Sequence, residues 1–447
     1  MGVTGQTPAY QSAYGASTLA GGRVHNKRCS GEAHVRSTAQ CQRVGGDATL
    51  GKAMLLRRLL LSAVSLAVAL LAVELWFGSR VPGSGDRREP LSTFEPSSEQ
   101  LERWAKRLKR LRRIESGVAT QKSAPMIQFS ERYGWALASG AEGVLNGDQI
   151  SLNAIAARRS GEVGEQPPPG VLRVACYGES FTFGSEVDNG EDWPAQLEDA
   201  AAGALEVLNL GVIGWGTDQA LLRFRDGHAQ LGSDVALMGL MSENIQRNVN
   251  RLVSVRAPKE FVPLVKPRFL LDSGELRLLP QPYASEIDLY EAAVNGNLGY
   301  DLASHEWLAE SSEGAGWSNV ADAVRAKRER ELRARWWLQW KETDGEPFRV
   351  TVALLEAFHR EALEAGARMA GVVVFCSVLD ISDPDRELTA LHTALDQRGI
   401  PYVDLYDVIR ARHMRGDGAY GKTHLTPGAN SEVASTVYEW LKQELDL

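Results

Sequence analysis

Ser180 stands in GESFTFG (178–184), between two glycines and directly after the apolar run VACY (174–177). Two readings of that placement are open. One is an ordinary strand-to-helix turn, in which serine caps the helix and glycine supplies an unusual backbone angle. The other is a nucleophile at the carboxyl end of a parallel strand, where open α/β sheets place their chemistry. Three further stretches leave apolar runs in the same way. VLNLGVIGWGTDQ (207–219) departs through Gly211, Gly214 and Gly216, so its backbone can turn sharply and expose amides to a ligand. LMGLMSENIQRN (237–248) brings Glu243, Asn244, Arg247 and Asn248, and DGAYGKTHLTPGAN (417–430) holds His424. A serine, a glycine amide, an asparagine amide and a histidine at one sheet edge are the components of acyl transfer.

The elements that must position these residues alternate along the chain. Apolar runs at 171–177, 205–210, 234–240, 369–376 and 400–405 read as strands, and helix-period segments at 193–202, 217–231, 347–365, 386–398 and 427–445 as helices. The last opens on Thr426-Pro427, a cap followed by a favourable first helical residue. Such alternation predicts an α/β fold, a doubly wound parallel sheet of about five strands covered on both faces. An insertion at roughly 250–345 interrupts it, with a hairpin expected at Asp272-Ser273-Gly274. Trp307, Trp317, Trp336, Trp337 and Trp340 fall in that insertion; burial of a cap against its domain is the default use of tryptophan, and stacking on a sugar or lipid is the alternative.

Four blocks carry a resemblance. GESFTFG resembles the first block of the SGNH hydrolases, the GDSL lipase and esterase family, with Glu179 in place of the more usual aspartate. NLGVIGWG resembles the second block, SENIQRN the third and KTHLTPGAN the fifth, while KPRF (266–269) is similar to bacterial members. The similarity covers about 171–445. It implies a flavodoxin-like sheet order, Ser180 as nucleophile and His424 as the base that takes its proton. It also implies an oxyanion hole made of the Ser180 amide, the Gly214 amide and the Asn244 side chain. One position departs from the pattern. Where the family usually carries an aspartate three residues before the histidine, this chain has Gly421. Asp417 is the favoured replacement, Asp404 a second possibility, and a Ser-His dyad oriented by a backbone carbonyl a third. Arg247 and Asn248 either touch substrate or tie loops, and Glu179 is expected to brace the nucleophile loop.

Composition bounds the rest. The chain has 447 residues, 44% hydrophobic and 24% charged, enough for one large core with smaller attachments. A net charge of −8 argues against a nucleic-acid partner, whose binding surfaces are strongly basic. Cys29, Cys41, Cys176 and Cys376 are too few and too scattered for a disulfide framework or a zinc site. No metal constellation appears, and the glycine loops lack phosphate-binding spacing, so no cofactor is expected.

Residues 59–77, LLLSAVSLAVALLAVELWF, carry one charge in nineteen and follow Arg57-Arg58, which reads as a membrane span or signal anchor within 54–80. Residues 1–53 read as a disordered tail or a misassigned start. Beyond the span, 81–132 is a linker containing a basic amphipathic helix at 97–115. That helix is expected either to lie on an anionic membrane surface or to serve as a linker or coiled-coil seam. A small β element is expected at 133–170, before the hydrolase-like domain at 171–447. The resulting expectation is a serine ester hydrolase of carbohydrate or other small-acyl esters, held on the bacterial envelope with its catalytic domain outside the cytoplasm. An O-acyltransferase of envelope polysaccharide and an inactive binding module are the alternatives.

Overall fold

Five apolar runs pair into one parallel sheet. In the computed structural model, which describes residues 96–120, 125–159, 161–252, 264–298, 336–381 and 388–446, they are β1 (Leu172–Gly178), β2 (Leu205–Gly211), β3 (Val235–Met241), β4 (Met369–Phe375) and β5 (Tyr402–Asp404). The order across the sheet is β2-β1-β3-β4-β5, and every pair is parallel. From β1 the chain moves outward to β2 and then returns across β1 to β3. A crevice therefore opens at the carboxyl ends of β1 and β3.

Among the described residues, the helices that cover the sheet include α1 (Trp193–Ala200), α2 (Thr217–Leu231), α3 (Glu346–Glu364) and α4 (Pro427–Leu445). Strand residues alternate between faces, and the two cores follow that alternation. Val174, Cys176, Val235, Leu237, Val373 and Phe375 pack with Trp193 and Leu197 of α1 and with Val433 and Val437 of α4. Ala175, Tyr177, Ala236, Met238, Val372 and Val374 pack with Leu221 and Phe224 of α2 and with Leu354 and Phe358 of α3. With both faces covered, β3 and β4 are buried along their whole length, which is why they read as unbroken apolar runs. Truncating such a residue, as in Leu237→Ala, would cost about 2–5 kcal/mol. Thr426 caps α4 by accepting from Ala429 N at 3.3 Å.

Two hairpins precede the sheet, Ile127–Ser130 with Gly134–Leu137 and Glu142–Leu145 with Asp148–Ser151. The second turns on Asn146-Gly147, both at positive φ, as a two-residue hairpin turn requires. A third, Arg268–Asp272 with Glu275–Leu279, turns on Ser273-Gly274. The helix expected at 97–115 runs Ser98–Glu115 and starts with a reciprocal capping box between Ser97 and Gln100. Its membrane-surface reading is corrected. Trp104 and Leu108 are buried with Leu289, Tyr290 and Ala293 of the helix Glu286–Val294, and Arg107 pairs with Glu286 at 2.8 Å. Protein, not lipid, covers that apolar stripe.

Trp340 is buried and donates from Nε1 to Ser242 O at 2.9 Å. Trp307 and Trp317 lie outside the described residues, as do the tail at 1–53 and the span at 59–77. Among the described residues no helix is long and apolar enough to cross a membrane.

Candidate active site

The chain leaves β1 at Gly178 and enters a single helical turn, Ser180–Phe183. Glycines on three adjacent strands make room for it. A Cβ on Gly178 or on Gly239 would fall on Thr182 Oγ1, and one on Gly211 would fall on the Phe183 amide. The turn is therefore seated in a notch across the ends of β1, β2 and β3. Its cap is Glu179, whose Oε2 accepts from Phe181 N at 2.8 Å. Ser180 is thus not the cap, and its hydroxyl is available for other partners.

Ser180 Oγ lies 2.8 Å from His424 Nε2 and 3.1 Å from Glu179 Oε2. His424 Nδ1 lies 3.0 Å from Glu186 Oε1. Glu186 also accepts from Lys422 N at 2.7 Å, from Thr423 N at 3.0 Å and from Thr423 Oγ1 at 2.7 Å. Burial alone would raise the Glu186 pKa above its ordinary 4.5, but the hydrogen bonds from His424, Thr423 and Lys422 outweigh it and hold the carboxyl at about 2. An ionised Glu186 only accepts, so Nδ1 carries the imidazole proton and Nε2 is left to accept from Ser180. Glu179 differs from Glu186 in its surroundings. It is fully buried, and burial raises its pKa against the opposing charge of Arg247.

The acid expected from the sequence is corrected. Asp417 pairs with Arg415 at 2.6 Å, with both side chains about half exposed. Asp404 accepts from Tyr406 N at 2.9 Å and lies 3.1 Å from His392 Nε2. Neither meets His424, because the turn that carries His424 faces the nucleophile loop. Glu186 belongs to that loop, and its backbone has a positive φ of 71° that no local sequence signal announces.

Asn244, fully buried, opens the short turn Asn244–Arg247 at the end of β3, its Nδ2 3.4 Å from Thr217 Oγ1. Gly214 lies on the loop between β2 and α2 at φ 79°, a conformation that side chains rarely adopt. The predicted donors thus stand after β1, β2 and β3, three neighbouring strands. Arg247 donates to Trp215 O at 2.9 Å and pairs with Glu243, while Asn248 donates to Thr351 Oγ1 at 3.0 Å. Arg247 thus ties the turn after β3 to the loop after β2, and Asn248 ties it to α3.

Two supports were not legible as such in the sequence. Trp135, from the first hairpin, donates to Ile213 O at 2.9 Å, and Trp215 donates back to Trp135 O at 3.0 Å, which fixes the Gly214 loop from both sides. Arg158, buried, donates to Phe183 O at 2.8 Å, to Gly184 O, and to Val187 O at 2.6 Å. It clamps the segment between the nucleophile turn and Glu186.

No family model and no curated protein matches this chain. Solved structures do. A lipolytic protein of the G-D-S-L family from Veillonella parvula shares 11% identity, covering 60% of this chain and 97% of its own, at a TM-score of 0.30. The acetyl xylan esterase AlAXEase shares 11% identity over 60% and 98%, at 0.30. The psychrotrophic esterase EstA from Pseudoalteromonas sp. shares 9% over 62% and 99%, at 0.30. These are G-D-S-L lipolytic proteins and esterases. Likeness this distant says nothing about family or substrate.

Proposed function

We propose that this chain is a serine ester hydrolase of the SGNH type, acting through an acyl-serine intermediate on small-acyl esters such as those of carbohydrates. One observation carries the reading: Glu186, His424 and Ser180 stand in line at 3.0 and 2.8 Å. A serine hydroxyl is a weak nucleophile until a base takes its proton, and His424 Nε2 is at hydrogen-bond distance to do so. Oγ then attacks the ester carbonyl, and the negative charge that develops on oxygen falls to the Ser180 and Gly214 amides and Asn244 Nδ2. Glu186 keeps the imidazole in the required tautomer and stabilises the imidazolium as it forms. That imidazolium gives its proton to the departing alcohol, and water, activated by His424 in turn, releases the acid.

Transfer of the acyl group to a sugar hydroxyl would use the same acyl-enzyme and differ only in the acceptor. The proposed location, an envelope membrane with the catalytic domain outside the cytoplasm, rests on residues 59–77 alone.

Hydrolysis of p-nitrophenyl acetate by the full-length chain in detergent, beside Ser180→Ala, tests the reading, with a fluorophosphonate probe as second readout. Turnover and labelling that both vanish in the variant establish a serine acyl-enzyme. Folded protein without either one sinks the hydrolase reading and leaves the binding module. Added alcohols that divert product to new ester would identify the transferase.

A further inference from the structure

The Ser180 hydroxyl has one proton and two acceptors within reach, His424 Nε2 at 2.8 Å and Glu179 Oε2 at 3.1 Å. Only one of them can receive it at a time. Glu179 is the residue that departs from the aspartate usual in the resembled first block, and it is fully buried. Its Oε2 is held in place by Phe181 N, which donates to it at 2.8 Å. Its Oε1 is buried too and has no hydrogen-bond partner among the described residues. Such an environment suits a carboxylic acid, which can keep its proton on that oxygen, better than a carboxylate, whose charge would lack a donor there. The charged side chains that act on Glu179 are Arg247, from the turn after β3, and His424, from the loop before α4. Burial outweighs both and raises its pKa from the ordinary 4.5. Arg247 is itself paired with Glu243, which takes up part of its charge.

We propose that Glu179 is a second acceptor for the Ser180 hydroxyl, in competition with His424, and that its carboxyl must be protonated for the nucleophile to be released to the base. This rests on the reading of Ser180 and His424 as nucleophile and base. While Glu179 is protonated, Oε2 is a neutral acceptor already engaged by Phe181 N, and the Ser180 proton points to His424 Nε2. When Glu179 gives its proton to solvent, Oε2 becomes part of an anion, whose hydrogen bonds are about twice as strong as neutral ones, and the hydroxyl turns to it. A carboxylate is too weak a base to take that proton, so Ser180 is held idle. The site then works in the pH interval between loss of the His424 proton and loss of the Glu179 proton.

The test is kcat/KM against pH on one ester, for the full-length chain and Glu179→Gln. Phe181 N keeps the glutamine oxygen in the place of Oε2, so the cap survives and only the ionisation is removed. The parent rises with pH as His424 loses its proton and falls again as Glu179 ionises, whereas the variant rises to a plateau. The ratio of variant to parent therefore climbs by about tenfold on the alkaline side. A purely structural role would lower the variant by one factor at every pH. A ratio that stays flat or falls with rising pH overturns the proposal. The second readout needs no turnover: carbon-13 NMR of the glutamate carboxyls in the parent and in Ser180→Ala, with Glu179 assigned by its loss in Glu179→Gln or Glu179→Asp. Removing the Ser180 donor takes a hydrogen bond from the ionised form, so Glu179 should titrate about one pH unit higher in Ser180→Ala. An unchanged titration overturns the proposal even in a chain that hydrolyses esters. The shift without any ester turnover supports the shared proton and sinks the hydrolase reading alone.

Discussion

Glu186 and His424 stand 238 residues apart in the chain and 3.0 Å apart in space. Their contact ties the loop that carries the nucleophile to the loop that carries the base, so the relay forms only when the whole domain has closed. Asp417 lies on that second loop but turns to Arg415. Asp417→Asn should leave turnover within about twofold, as expected for a solvent-screened surface pair. Glu186→Gln, which keeps the shape and removes the charge, should lose about 10²–10⁴-fold. Equal effects of the two, measured as kcat/KM on one ester, would return the role to Asp417.

Asn244 sits fully buried at the end of β3 beside Thr217. As a donor to developing charge it acts mainly in the transition state, so Asn244→Ala should lower kcat about 10²–10³-fold with KM little changed. A rise in KM alone would make Asn244 a substrate-binding residue only.

The nucleophile turn depends on space as well as on hydrogen bonds. A Cβ on Gly239 would fall on Thr182 Oγ1 and lie 3.1 Å from the Phe375 ring. Gly239→Ala should therefore destabilise the domain by about 1–3 kcal/mol, read as a lower Tm. Adding Thr182→Ala removes the first clash and should recover part of the loss. Strict additivity of the two would show that the notch does not hold the turn.

Acid should weaken the fold in two windows. His228 is buried against Tyr177, 3.1 Å from its hydroxyl, and burial lowers its pKa from 6.5 to about 4. The folded form binds that proton less readily than the unfolded chain, so its contribution to stability is present above about pH 6.5 and is lost as pH falls towards 4. Glu186, depressed from 4.5 to about 2, adds a second loss between those values. His228→Phe should be less stable overall yet flatten Tm between about pH 6.5 and 4.5, and Glu186→Gln should flatten it below. Parallel curves for parent and His228→Phe would rule out the first window.

What the sequence determined by itself is whatever depends on neighbours in the chain. Strands β1 to β4 appear as apolar runs because both their faces are covered, α4 announces itself through Thr426-Pro427, and Asn146-Gly147 marks its hairpin through backbone angles that few other residues adopt. Ser180, Gly214, Asn244 and His424 could be picked out because each follows a strand or precedes a helix in a recognisable block. The acid could not. Several carboxylates lie within reach of the His424 loop along the chain, and only the packed loops decide that the amides of 422–424 face Glu186 and turn away from Asp417. The glycine notch under Thr182 and the Arg158 clamp are of the same kind. They are contacts between segments that meet only in the folded chain, where a donor finds its acceptor by position in space and not by distance along the sequence.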